Sequence, residues 1–319
     1  MNKVHFSKMR RAQCEQRPPR VSVIICCYRD DRFDLLLAAA DSVAKQTLSD
    51  HELIIVVDHN DSLEERIRAC RPEIRVVQSQ EPKGLSGARN AGLKNAHAEI
   101  VAFLDDDATA PTDWLERLLE PYSDDRVVGV GGSAIPAWES KRPSWLPVEF
   151  YWVIGCSWIG LPAVPSTTRN LIGCNMSFRR DACLHAGGFA GAFFFADRAI
   201  VNDETEFCVR LARGSPVNRL IYLPDVAVRH YVPGERQSFS FFAKRCWREG
   251  RAKRITTSLV GSSVGLARER AHLTRVIPRA IRREMRSGIR GDPTAVIRGS
   301  VVLLGTLITV LAFLLPRHT

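Results

Sequence analysis

Residues 100–111 read Ile-Val-Ala-Phe-Leu-Asp-Asp-Asp-Ala-Thr-Ala-Pro, an apolar run that ends in three consecutive carboxylates. The run has the continuous apolar character of a strand covered on both faces. Pro111 cannot donate to a sheet ladder, so the strand has ended by there. Three bare carboxylates are too costly to bury in an apolar core, so Asp105, Asp106 and Asp107 belong at the strand's end with a counter-charge. A hard divalent cation, Mg²⁺ or Mn²⁺, with a diphosphate behind it suits such a set of oxygens. A solvated acidic turn is the plainer alternative, and the sequence around the run decides between them.

That sequence alternates strands and helices. Val21–Cys27 is an apolar strand running into Tyr28, and residues 32–46 carry a helical pattern around Leu36, Ala39 and Val43. Glu52–Val57 is a second apolar strand ending at Asp58, and the turn and N-cap types Asn60 to Ser62 lead into a helix over 62–70. Residues 74–78 form a short third strand, and Gly84–Gly92 opens the helix before the Ile100 strand. Continuous apolar strands alternating with helices predict an α/β fold, its mostly parallel sheet covered on both faces. Ligands bind at the carboxyl ends of such strands, where Tyr28, Asp58 and Asp105–Asp107 all fall.

Further on, a helix is predicted over 112–121 and a strand over 126–131. The stretch 136–172 is rich in Pro and Trp and reads as a binding loop or as a packed surface loop. Residues 171–180 return to a strand. An acidic helix start follows at Asn202-Asp203-Glu204, where the two acids also suit plain helix capping. A late strand over 221–230 ends in His230.

Nine cysteines without a Cys-x-x-Cys pair argue against a disulfide framework and against a zinc site, and fit a reducing cytosol. Residues 1–20 read as a disordered basic tail without a secretory h-region. Residues 236–298 hold sixteen Lys and Arg against four Asp and Glu, so this one segment accounts for the whole net charge of +10. They read as basic helices. Gly299 to Leu315 is then free of charge, long enough for a transmembrane or deeply seated anchor, with a buried C-terminal helix as the alternative. The basic segment would face the cytoplasm and anionic lipid headgroups rather than nucleic acid. The expected organisation is a tail (1–20), an α/β domain (21–235), a membrane-proximal segment (236–298) and a single anchor (299–316), at the cytoplasmic face of the cell membrane.

Five stretches now resemble the family 2 glycosyltransferases of GT-A fold, in the family's order. They are the Val21 strand ending at Tyr28, Glu52–Asp58, Gly87-Ala-Arg89-Asn90-Ala-Gly92, Phe103–Asp107, and Asp203-Glu204-Thr205-Glu206 followed by Arg210-Leu211. The resemblance covers about residues 21–235. It implies an inverting, metal-dependent transfer of a sugar from a nucleotide-diphosphate donor to a hydroxyl acceptor. It places the metal on Asp105, Asp107 and His230, and the nucleotide sugar against Cys27, Tyr28, Asp58, Arg89, Asp105 and Asp106. It makes Glu204 or Asp203 the general base, since the two acids stand in the reverse of the family's usual order. Cys26-Cys27 replace the frequent Pro-Thr, His59-Asn60 replace Asp-Gly, and Trp247 lacks the Gln of the processive synthases. The anchor points to a lipid-linked, cell-envelope or exopolysaccharide acceptor. Two rivals remain in view. A dinucleotide-dependent oxidoreductase lacks its Gly-x-Gly-x-x-Gly after the first strand, and a catalytically silent membrane module would not need the acids.

Overall fold

The computed structural model describes residues 19–190, 203–260 and 267–315. The first half is β1 (Val21–Cys27), α1 (Phe33–Ala44), β2 (His51–Val57), α2 (Asp61–Cys70), β3 (Arg75–Gln78), α3 (Leu85–Asn95) and β4 (Ile100–Asp105). Every pairing among these strands is parallel, with β1 between β2 and β4. Side chains of a strand alternate between faces. Val23 and Ile25 of β1 join one core with Leu36, Ala39 and Val43 of α1, while Ile24 joins a second core with Ala88 and Ala91 of α3. The unbroken apolar runs of the sequence are the trace of this two-sided burial.

Beyond β4 the sheet departs from the expected parallel pattern. β5 (Ala108–Thr109), α4 (Trp114–Leu119), β6 (Val127–Trp138), β7 (Ser166–Thr167), β8 (Asn175–Arg179), α5 (Arg180–His185), α6 (Asp203–Arg213) and β9 (Arg219–Val232) follow. The strand order is β3, β2, β1, β4, β8, β6, β9, β5, with β7 on the side of β9. β8 runs antiparallel between β4 and β6. Among the described residues the pairings are therefore four parallel and four antiparallel. β9 continues past His230 to Val232, because its later residues pair with β6 as far as Trp138.

The expected loop over 136–172 is largely packed. Val148–Ile154 form a 3₁₀ helix whose Phe150, Tyr151 and Val153 enter a third core with Val232, Phe242, Ile277 and Val302. That core joins the sheet to the C-terminal helices α7 (Phe239–Val260), α9 (Ile277–Ile289) and α10 (Thr294–Leu314), with the short α8 (Ala267–Ala271) between α7 and α9 in the chain. α10 begins five residues before the charge-free run. Its first turn is capped by Asp292, which accepts the Thr294 N–H at 2.9 Å. It is the one described helix long and apolar enough to cross a membrane. The expected tail lies mostly outside the described residues, as does Asn202.

Candidate active site

The carboxyl ends of β1, β2 and β4 open on one cavity of about 1260 Å³. All ten residues singled out from the sequence line it: Cys27, Tyr28, Asp58, Arg89, Asp105, Asp106, Asp107, Asp203, Glu204 and His230. Cys27 is buried, and burial keeps its thiol protonated. Tyr28 stands exposed at the rim. Asp58 is fixed by two donors, the Gly84 N–H at 2.9 Å and His59 Nδ1 at 2.7 Å. His59, at φ 53°, is the only described non-glycine residue with positive φ. That strained turn aims its ring at Asp58.

The three acids after β4 separate in role by their partners. Asp106 and Asp107 both meet the Arg32 guanidinium, at 3.2 and 3.0 Å. Asp107 also meets His230 Nε2 at 3.2 Å and Arg236 at 3.8 Å. The β5–β9 ladder makes this possible: Ala108 pairs with His230, and the Tyr231 N–H donates to the Asp107 carbonyl at 2.8 Å. The later strand β9 is thereby locked in register beside the acids. Burial raises Asp107, but the His230 hydrogen bond and charge and Arg32 outweigh it and hold the carboxyl below its usual range. Burial and then the Asp107 charge push Asp106 up to about 7. Asp105 is raised by burial against the pull of Arg89. Burial works against a charged His230, yet its bond to Asp107 carries it up to about 10.

Ligand atoms of Asp105, His230 and Cys174 lie within 4.8 Å of one another. Asp105 and His230 could share one cation, and Asp107, 3.2 Å from His230 Nε2, stands next to them. Such a donor set fits Mg²⁺ or Mn²⁺. Burial keeps the Cys174 thiol protonated, and His230 would have to release the proton it shares with Asp107 to ligate a cation.

Across the cavity, Arg89 is buried between two groups of acids. Its guanidinium donates to Asp203 at 2.9 Å and stands 3.9 Å from Asp105. Ser86 also donates to Asp203, at 2.7 Å. Burial opposes ionisation of Asp203, but Arg89 and Ser86 prevail and hold its carboxyl low. Glu204, the next residue, opens on the cavity. Burial first, then the Asp203 charge, push it up to about 8 against Arg89.

Four residues at this site escaped the reading of the sequence: Arg32, Ser86, Cys174 and Arg236. Ser86 lies inside the Gly84–Gly92 stretch, and Arg236 opens the basic segment 236–298. Nothing in the local sequence of Arg32 or Cys174 marks them.

Comparison with known proteins identifies the family. The profile of Glycosyl transferase family 2 matches residues 22–186. The chain is 33% identical over 241 residues to the glucosyl-dolichyl phosphate glucuronosyltransferase of Haloferax volcanii, covering 74% of this chain and 77% of that protein. It is 27% identical over 238 residues to the succinoglycan biosynthesis protein ExoM of Rhizobium meliloti, covering 72% of each. In structure it is similar to the mannosyltransferase PcManGT from Pyrobaculum calidifontis, solved in complex with GDP-Man and Mn²⁺. The TM-score is 0.57 at 17% identity, over 93% of this chain and 88% of that one. With the acids, the helix-borne arginine and the mixed sheet all in place, the chain belongs to the family 2 glycosyltransferases and has their GT-A fold.

Proposed function

We propose that this glycosyltransferase moves a sugar, with inversion, from a nucleotide-diphosphate donor to a hydroxyl of a lipid-linked or cell-envelope glycan. The observation that carries the reading is the pairing of Arg89 with Asp203, which leaves Glu204 beside it open to the cavity. Glu204 takes the proton of the acceptor hydroxyl. The acceptor oxygen then bonds to the anomeric carbon as the bond from that carbon to the diphosphate breaks on the opposite face. One displacement inverts the centre, and a carboxylate whose pKa lies near the working pH is suited to the proton transfer.

The remaining residues hold the donor. Asp58 and Tyr28 take the base and ribose, Cys27 and Asp105 flank them, and Arg89 and Arg236 face the diphosphate end. Asp106 braces the turn through Arg32. A Mg²⁺ or Mn²⁺ ion on Asp105, Asp107 and His230 would supply Lewis-acid stabilisation to the leaving diphosphate. The Mn²⁺ and GDP-Man in the Pyrobaculum structure support that choice of cofactor and donor class.

The far end of the cavity supports the acceptor class. Lys244, Arg248 and Arg270 line it together with Trp152, Trp158 and Phe313. Cations interleaved with apolar rings suit an amphiphile with an anionic head, and the Haloferax relative is named for a dolichyl phosphate. An anchored enzyme at the cytoplasmic face of an anionic membrane would meet such an acceptor directly. The test is a screen of sugar nucleotides by thermal shift with and without Mn²⁺. One donor is expected to raise Tm only when Mn²⁺ is present, and no shift with any donor would overturn the reading.

A further inference from the structure

α10 is apolar all round, yet one stripe of it is committed to protein. Ala295, Val302, Gly305 and Ala312 are buried at helical spacing along its length. Gly305 sits against the rings of Phe150 and Phe242, where a Cβ would come within 2.6 Å of each. Gly250 of α7 answers it from the other side, so close to the Thr309 carbonyl and Ala312 that no side chain fits between. Both ends are tied as well. Arg298 pairs with the buried Glu284 at 2.7 Å near the start, and Arg254 of α7 donates to the carbonyls of Leu314 and Leu315 at the finish.

The opposite stripe has no cover among the described residues. Val296, Leu303, Leu307, Leu311 and Leu314 are 43–72% exposed. Alongside, α9 exposes Met285 and Ile289 among the exposed Arg279, Arg282, Arg286 and Arg290. An apolar stripe flanked by arginines is the signature of a helix lying in the headgroup region of an anionic leaflet.

At about 31 Å, 21 residues are long enough to span a bilayer. Docking forbids it. α7 packs against α10 from Gly305 to Leu315 and carries Lys244, Arg245, Arg248, Arg251, Lys253 and Arg254. A spanning α10 would draw those cations into hydrocarbon or would have to abandon α7, breaking the close packing at Gly250 and the Arg254 bonds to Leu314 and Leu315.

We propose that α10 is an in-plane, monotopic anchor, seated with α9 in one leaflet of anionic phospholipid, with both of its ends on the side of the catalytic domain. Thr306, Thr309, Val310 and Phe313 of the same helix wall the catalytic cavity. The acceptor therefore reaches the site sideways, out of the leaflet that holds the anchor. This inference rests on the membrane association proposed above, and not on the sugar chemistry.

Two measurements on the full chain test it. The first is sedimentation with vesicles of phosphatidylcholine, with and without phosphatidylglycerol, for the wild type and the triple variant Leu303→Glu, Leu307→Glu, Leu311→Glu. Wild type is expected to pellet with the anionic vesicles, and the variant to lose binding by on the order of tenfold or more while its donor-induced thermal shift stays unchanged. The second is protease accessibility of a C-terminal epitope in sealed membranes, which should be cut from the same side as the catalytic domain. An epitope cut only from the opposite side would make α10 a span and overturn the proposal. Unaltered vesicle binding by the triple variant would overturn it too. So would a wild type that ignores vesicles but forms a dimer broken by the triple variant, since a second copy would then be the occupant. The retained thermal shift separates failure of the anchor from failure of the glycosyltransferase reading.

Discussion

The Arg89 guanidinium and the Asp203 carboxylate form an ion pair at 2.9 Å, with only 3% and 8% of their side chains exposed. This pair divides the labour of the two adjacent acids. Asp203 is spent on holding Arg89, while Glu204 remains at the cavity wall with a raised pKa.

Glu204→Gln is therefore expected to lower kcat by about 10²–10⁴-fold, the usual worth of a positioned general base. Donor binding, read as the Mn²⁺-dependent thermal shift, should hardly change. A Glu204→Gln enzyme that keeps wild-type kcat would remove Glu204 from the mechanism.

Asp203→Ala is expected to act on the fold. It leaves Arg89 as a buried charge without its main partner, a loss of roughly 3–5 kcal/mol for such pairs. Urea unfolding of the variant should show a lower midpoint at an unchanged slope. An unchanged midpoint would mean that Asp105 and Glu204 compensate Arg89 by themselves.

The pH profile follows from the same arrangement. A base must be deprotonated to work, and Glu204 has its pKa raised to about 8 by burial and by Asp203. kcat/KM should rise with pH through neutrality and level off near that value. The rise should vanish in the residual activity of Glu204→Gln. A profile flat from pH 6 to 9 would contradict the assignment.

Asp107→Ala removes the partner shared by Arg32, Arg236 and His230. Loss of the Mn²⁺-dependent part of donor binding is expected, seen as a thermal shift that no longer responds to the metal. A response equal to that of wild type would move the metal to Asp105 and His230 alone.

Glu269 gives a stability prediction in acid. Burial opposes its ionisation, but Lys253 and Arg169 carry its carboxyl from an ordinary 4.5 down to about 2. A depressed folded-state pKa contributes stability that is whole above the ordinary value and is lost as pH falls towards 2. Wild type should lose more stability than Glu269→Gln between pH 5 and 2.5, measured by urea midpoints. Equal losses would show that this network adds nothing to the fold.

Much of the fold was legible because burial leaves a local mark. The apolar runs of β1, β2 and β4 report a strand covered on both faces, and an acid that ends such a run must lie at the carboxyl end of the sheet. Tyr28, Asp58 and Asp105–Asp107 were placed in one row by that argument alone. The second half of the sheet was harder. β8 runs against its neighbours and β9 passes beyond His230, and neither the direction of the one nor the end of the other is written in its own side chains.

The sequence by itself determined the α/β class, the end of the sheet where chemistry takes place and the residue types gathered there. Only the tertiary structure decided which acid pairs with Arg89. Arg89 and Asp203 are 114 residues apart, and Arg32 reaches Asp106 across 74. The charge on a carboxylate depends on which cation folding brings within a few ångströms. The same holds for α10. A helix apolar on every side has one composition whether lipid or protein covers it, so its place was decided by the two glycines and two arginines that bind it to α7 and α9.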